Sequence, residues 1–243
     1  MTDTEIRWVG PIKNIRQYIF EISTPGGYGT GFQIYYSKIK GFCAIATAYH
    51  VVQHAYEWGE PIKLTHYSSN DSLLLKDGER TFFVYPDKDL ALVLFDKKDL
   101  KISEVNPKLV PPRLHVNEGV EIGWCGFPSN APRGTLCFFE GFVSSYMESQ
   151  DLYLIDGVSI NGVSGGPTFH INATNETVMA GVINAYYPNL AVTGTPMPGL
   201  CSAVSIEPYQ KKLQEYQSFD EAQEKAEQEN AKVVSGLKVG PTK

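Results

Sequence analysis

Residues 161–169 read NGVSGGPTF, which sets Ser164 between Val163 and a Gly-Gly-Pro run, with Gly162 two positions before it. Gly, Pro, Asn and Ser are turn residues, so a tight turn is one reading of the run. The other is a nucleophile. A serine attacking a carbonyl needs backbone N–H groups close to the reacting atoms, and glycine permits that approach because it has no Cβ. Serine is a weak nucleophile until a base takes its proton, and the base must be oriented by a third group. His50 ends the stretch CAIATAYH, just past an apolar run, and Asp89 immediately precedes the apolar run LALVLF. A side chain at the end of a rigid element is well positioned, and a carboxylate at the rim of a core can be held against an imidazole. Asp87 is an alternative acid two residues upstream.

Two other chemistries compete for these residues. Residues 162–166 also satisfy G-x-S-x-G, but that nucleophile elbow needs a helix behind the serine and its acid and histidine later in the chain. Here Pro167-Thr168-Phe169 and INATNET follow, a poor helix, and the only later histidine, His170, is too near. His50 and His54 are four apart, as metal ligands on a helix would be. The intervening Val51-Val52-Gln53 lacks the glutamate of H-E-x-x-H, so no metal or other cofactor is expected and His54 reads as a surface residue. His66 and His115 carry no chemical context.

The elements that must position these groups read as short strands. Runs rich in β-branched and aromatic residues, bounded by Gly, Pro, Asn or Asp, occur at 17–22, 31–36, 42–47, 62–66, 81–84, 90–95, 120–125, 135–139, 141–145, 152–155, 178–184 and 200–206. Pro107, Pro111 and Pro112 split them into two groups of six. The expectation is an all-β protein of two six-stranded antiparallel β-barrels, residues 1–105 and 118–207, joined by a linker at 106–117. A C-terminal helix and polar tail occupy 208–243, with a short helix at 208–216 and a second start at Ser218, three residues before Glu221.

Composition bounds the partners. The chain has 243 residues, 42% apolar and 20% charged, with a net charge of −6, which argues against a nucleic-acid surface. No run is long enough to span a bilayer and no apolar signal core follows Met1, so no membrane partner and a cytoplasmic location are expected. Cys43, Cys125, Cys137 and Cys201 show no metal spacing and are expected to be reduced.

The ordered blocks Gly29-Thr30-Gly31-Phe32, Thr47-Ala48-Tyr49-His50-Val51-Val52, Asp89-Leu90-Ala91-Leu92-Val93 and Gly162-Val163-Ser164-Gly165-Gly166-Pro167 resemble chymotrypsin-like serine proteases, in the style of non-secreted, HtrA-type enzymes. Supporting blocks are Ile122-Gly123 with Gly126-Phe127-Pro128, residues 141–144, residues 180–184 and Pro198-Gly199-Leu200, so the resemblance covers about residues 15–215. It implies His50 as general base, Asp89 as its orienting acid and Ser164 as nucleophile, with Asp89 preferred to Asp87. The N–H groups of Gly162 and Ser164 would form an oxyanion hole. It also implies a substrate-binding strand at Asn184, Ala185 and Tyr186, and a specificity pocket at Val158, Tyr186 and Gly199. Val158 stands where a carboxylate would select Lys or Arg, so a small to medium uncharged side chain is expected. Tyr186 would narrow the pocket mouth and Gly199 would keep one wall open. Val163 replaces the aspartate that pairs with a freed N-terminus in secreted relatives, so no N-terminal processing is expected. The implied partner is a protein or peptide substrate, with regulation by the polar C-terminal helix or a partner protein, as no accessory peptide-binding domain follows. The alternative is a catalytically silent trypsin-fold scaffold or peptide-binding module.

Overall fold

The computed structural model describes residues 7–190, 193–194 and 196–237. The first half contributes β1 (Ile19–Thr24), β2 (Gly27–Tyr36), β3 (Phe42–Ala48), β4 (Ile62–His66), β5 (Ser72–Leu75), β6 (Arg80–Tyr85) and β7 (Leu90–Asp96). These form one antiparallel sheet in the order β5-β4-β1-β2-β3-β7-β6. The second half contributes β8 (Glu121–Gly126), β9 (Cys137–Met147), β10 (Leu152–Asp156), β11 (Pro167–Ile171), β12 (Thr177–Leu190) and β13 (Pro196–Ser205), which close into a six-stranded barrel.

The expectation of two closed six-stranded barrels is therefore corrected for the first half, a curled seven-stranded sheet that stays open between β5 and β6. A side chain occupies that seam. The buried Arg80 guanidinium donates to the Leu75 carbonyl at 2.6 Å and to the carbonyls of Ala55 and Glu60, taking an acceptor that a closing ladder would use.

Glycine explains another difference. The runs at 135–139 and 141–145 are one strand, β9, because Glu140-Gly141 pairs with Gly123 and Ile122 instead of turning. A Cβ on Gly141 would lie 2.0 Å from the Asp156 carbonyl oxygen, so the glycine admits a neighbouring strand.

Three apolar clusters hold the molecule. One lies inside the first sheet around Phe20, Ile45, Leu64 and Val93, and one inside the barrel around Trp124, Tyr153, Val163 and Ile183. The third joins the halves, bringing Phe32 and Leu92 together with Phe169, Met179 and Val182. A helix adds to it. Helix α1 (Val9–Arg16) buries Ile15, and Trp8 just before it packs on Phe138 and Phe169 with centroids at 5.3 and 5.8 Å. A second helix, α2 (Tyr49–Trp58), follows β3.

The C-terminal helix, α3 (Glu207–Leu237), is continuous through Ser218, where a new start was expected. Packing overrides the local signal: Tyr216 meets Phe42 edge to face, Lys40 sits over the Phe219 ring, and the Tyr35 hydroxyl donates to Asp220 at 2.6 Å. Further back, the buried Tyr209 hydroxyl donates to the carbonyls of Ala91 (2.9 Å) and Thr47 (3.2 Å), pinning α3 behind β3 and β7. Among the described residues no helix is long and apolar enough to cross a membrane.

Candidate active site

Helix α2 starts without a capping side chain of its own, since its N-cap residue is Ala48. The first N–H groups of a helix need acceptors from elsewhere, and a carboxylate there also suits the helix dipole. Asp89 supplies them from the position just before β7. Its backbone carbonyl accepts from Tyr49 N–H at 3.0 Å, and its Oδ1 accepts from His50 N–H at 2.9 Å. Its other oxygen, Oδ2, lies 2.8 Å from His50 Nδ1.

A carboxylate can only accept, so Nδ1 carries a hydrogen, and in the neutral imidazole Nε2 then keeps its lone pair. One aspartate thus caps the helix and selects the imidazole tautomer. It does so from a left-handed backbone conformation, φ 51° and ψ 43°, which aspartate tolerates better than most residues. Asp89, and not Asp87, is the acid that meets His50.

The glycines of the serine loop have steric reasons. A Cβ would lie 2.3 Å from the Phe127 carbonyl oxygen at Gly162, 2.0 Å from that of Thr30 at Gly165 and 2.1 Å from that of Cys125 at Gly166. Gly162 and Gly165 also have φ of +92° and +85°. The loop is threaded between backbones, with Val163 fully buried beneath it. Its groups are tied by Gly166 N–H to the Val163 carbonyl (2.9 Å), Gly165 N–H to that of Ile183 (2.7 Å) and Thr30 N–H to that of Ser164 (2.8 Å). The N–H groups of Gly162 and Ser164 have no hydrogen-bond partner among the described residues. Two unpaired donors beside a serine hydroxyl can bind a developing negative charge.

His50, Gly162 and Ser164 line one cavity of about 360 Å³, walled also by Thr24, Gly26, Tyr28, His54 and Asn161. Their part in the cavity was not anticipated; the signals were the Thr24-Pro25-Gly26-Gly27 turn preceding β2's GTGF, His54 one helical turn from His50, and Asn161 beside Gly162. His54 is held by Glu60 at 2.7 Å. None of Val158, Asn184, Ala185, Tyr186 and Gly199 lines this cavity. Val158 is half exposed, Ala185 is exposed on β12, and Asn184 Oδ1 accepts from the Ser202 hydroxyl at 2.8 Å. Gly199 packs against β12. Its N–H donates to the Tyr186 hydroxyl at 2.6 Å, and a Cβ there would lie 1.9 Å from the Tyr187 carbonyl oxygen.

All four cysteines are free. Burial raises the pKa values of Cys43 and Cys125 and pushes that of Cys201 up to about 12, which makes these three poor nucleophiles. Among the described residues no group of three or more His, Cys, Asp or Glu side chains could hold a metal ion.

No protein-family model and no curated protein matches the sequence. Solved structures do match in fold. Deg5 superposes with a TM-score of 0.63 at 18% identity, over 87% of this chain and 94% of that one. The HtrA-type protease AlgW, as a serine-to-alanine variant with a decapeptide, gives 0.60 at 14% identity, over 85% of this chain and 65% of that one. A serine-to-alanine mutant of Rv3671c from M. tuberculosis H37Rv, in an inactive form, gives 0.54 at 14%, over 85% and 90%. The fold is that of trypsin-like, HtrA-type protease domains.

Proposed function

We propose that the chain is a serine endopeptidase acting through His50, Asp89 and Ser164. The observation that carries this reading is the double hold of Asp89 on His50, by ring and by backbone, beside a cavity that His50 shares with Ser164. Ser164 Oγ attacks the scissile carbonyl as His50 Nε2 takes its proton, and Asp89 stabilises the imidazolium. The N–H groups of Gly162 and Ser164 receive the oxyanion. Collapse of the intermediate expels the amine, which takes the proton from His50 and leaves an acyl-enzyme. Water then attacks with His50 again as base, releasing the acid and the serine.

The substrate is a protein or peptide that pairs as an added strand with Asn184, Ala185 and Tyr186; AlgW, solved with a decapeptide, supports a peptide ligand in general. Val158 supplies no charge, and the Tyr186 hydroxyl is held against Gly199 by its N–H at 2.6 Å, which supports small to medium uncharged side chains at the cleavage site. The halves 1–105 and 118–207 supply base and nucleophile respectively, across the 106–117 linker. The free, mostly buried thiols support action in a reducing compartment such as the cytoplasm. Unpaired N–H groups at Gly162 and Ser164 favour an enzyme over a silent scaffold. Ser164→Ala and His50→Ala should each cut peptide hydrolysis about 10⁴- to 10⁶-fold while the circular dichroism spectrum is kept. Proteolysis surviving Ser164→Ala in a clean preparation overturns the mechanism.

A further inference from the structure

Thr30 is fully buried in β2 of the first sheet, yet its polar groups reach the second half. Its N–H donates to the Ser164 carbonyl at 2.8 Å. Its hydroxyl donates to the Gly162 carbonyl at 2.7 Å and accepts from Phe127 N–H at 3.1 Å. Gly126 makes room for it, since a Cβ there would lie 2.6 Å from Thr30 Oγ1.

We propose that Thr30 is a positioning residue that sets the direction of the Gly162 N–H, an inference that rests on the catalytic reading above. A trans peptide aims its C=O and N–H in opposite directions, so tying one end aims the other. The peptide before Gly162 has its carbonyl, from Asn161, on Ser129 N–H at 2.7 Å, which leaves the Gly162 N–H facing away and unpaired. The peptide after Gly162 is held at both ends, by Thr30 on its carbonyl and by Val163 N–H on the Ile160 carbonyl at 3.0 Å. Gly162, at φ +92°, is the hinge between these planes and has glycine's freedom to turn. Without the hydroxyl, the Gly162 carbonyl and the Phe127 N–H both lose their partner, and the plane after the hinge is held by the Val163 N–H alone, which loosens the aim of the Gly162 N–H.

The test compares Thr30→Val, which keeps the shape and removes the hydroxyl, with Thr30→Ser, which keeps the hydroxyl. Amide exchange by mass spectrometry should rise about tenfold in Thr30→Val over residues 126–130 and 160–166 only, with β10 and β13 as protected as before. In peptide hydrolysis, kcat should fall about 10- to 100-fold with KM within about threefold, and Thr30→Ser should recover most of the loss. Unchanged kcat, an equal loss through KM, no recovery with Ser, or faster exchange throughout the barrel each overturns the assignment. The exchange pattern needs no turnover. If the wild type hydrolyses nothing, the protease reading fails on its own and the exchange pattern still decides whether Thr30 holds the loop.

Discussion

Gly165 and Gly134 share a left-handed backbone, with φ of +85° and +78°, but not their surroundings. Alanine at either position meets the same conformational penalty, about 1–2 kcal/mol. At Gly134 nothing lies within 4 Å of the added Cβ. At Gly165 it would meet the Thr30 carbonyl oxygen at 2.0 Å, Thr47 Oγ1 at 2.3 Å and Ala48 N at 3.0 Å. Thr47 already donates to that carbonyl at 2.7 Å, so neither group yields without breaking the bond. Forced overpacking of this kind adds about 1–3 kcal/mol. In a chain of this size 1 kcal/mol moves Tm by about 2–4 °C. Gly134→Ala should therefore lower Tm by about 2–8 °C, and Gly165→Ala by a further ~2–12 °C. Thermal unfolding followed by circular dichroism reads the difference, and peptide turnover should be lost only at Gly165, whose displacement carries Ser164 with it. Equal losses of Tm for the two variants would refute the crowding argument for the glycines of the serine loop.

Stability should depend on pH through His66, which is buried with Nε2 on the Gln17 carbonyl at 2.9 Å. Burial lowers its pKa, outweighing that bond, so the unfolded chain binds the proton first and stability falls as pH drops below about 6.5, by up to ~1.4 kcal/mol per pH unit. His170 is lowered by burial as well, so urea titrations at pH 7.5 and 5.5 should show a smaller loss, not none, in His66→Asn; an unchanged loss contradicts the assignment. Thiol counting under denaturing, non-reducing conditions should give four, and a count of two would contradict the free cysteines. A peptide library should show no dominant cleavage after Lys or Arg, because Val158 offers a desolvated cation no partner; dominant basic cleavage would show that the pocket is elsewhere.

What the sequence made legible is what local chemistry decides. Residues 62–66 read as a strand and are one, because a β-branched and apolar run is bounded by turn residues. The pairing of His50 with Asp89 was also reachable, since each stands at the end of an apolar strand. Long-range contacts were not. β11 begins at Pro167 and looked like the exit from a turn, but β8 and β12 on its two sides make it a strand. The open seam depends on where the Arg80 guanidinium lands, and the unbroken α3 on aromatic packing across the first sheet. Thr30 looked like one letter of a strand motif, and only the fold brings its hydroxyl to Gly162, 132 residues away.

Fluorophosphonate labelling reads the proposed nucleophile itself, because the probe reacts with an activated serine and spares an ordinary one. The wild-type chain should take up one adduct, mapped by mass spectrometry to Ser164, and none should form in Ser164→Ala or His50→Ala. Asp89→Asn should slow labelling by up to about 10⁴-fold, as expected when the imidazole is held in the wrong tautomer. A folded wild-type chain that takes up no probe, or an adduct that persists in Ser164→Ala, would contradict the assignment of His50, Asp89 and Ser164 as a catalytic unit.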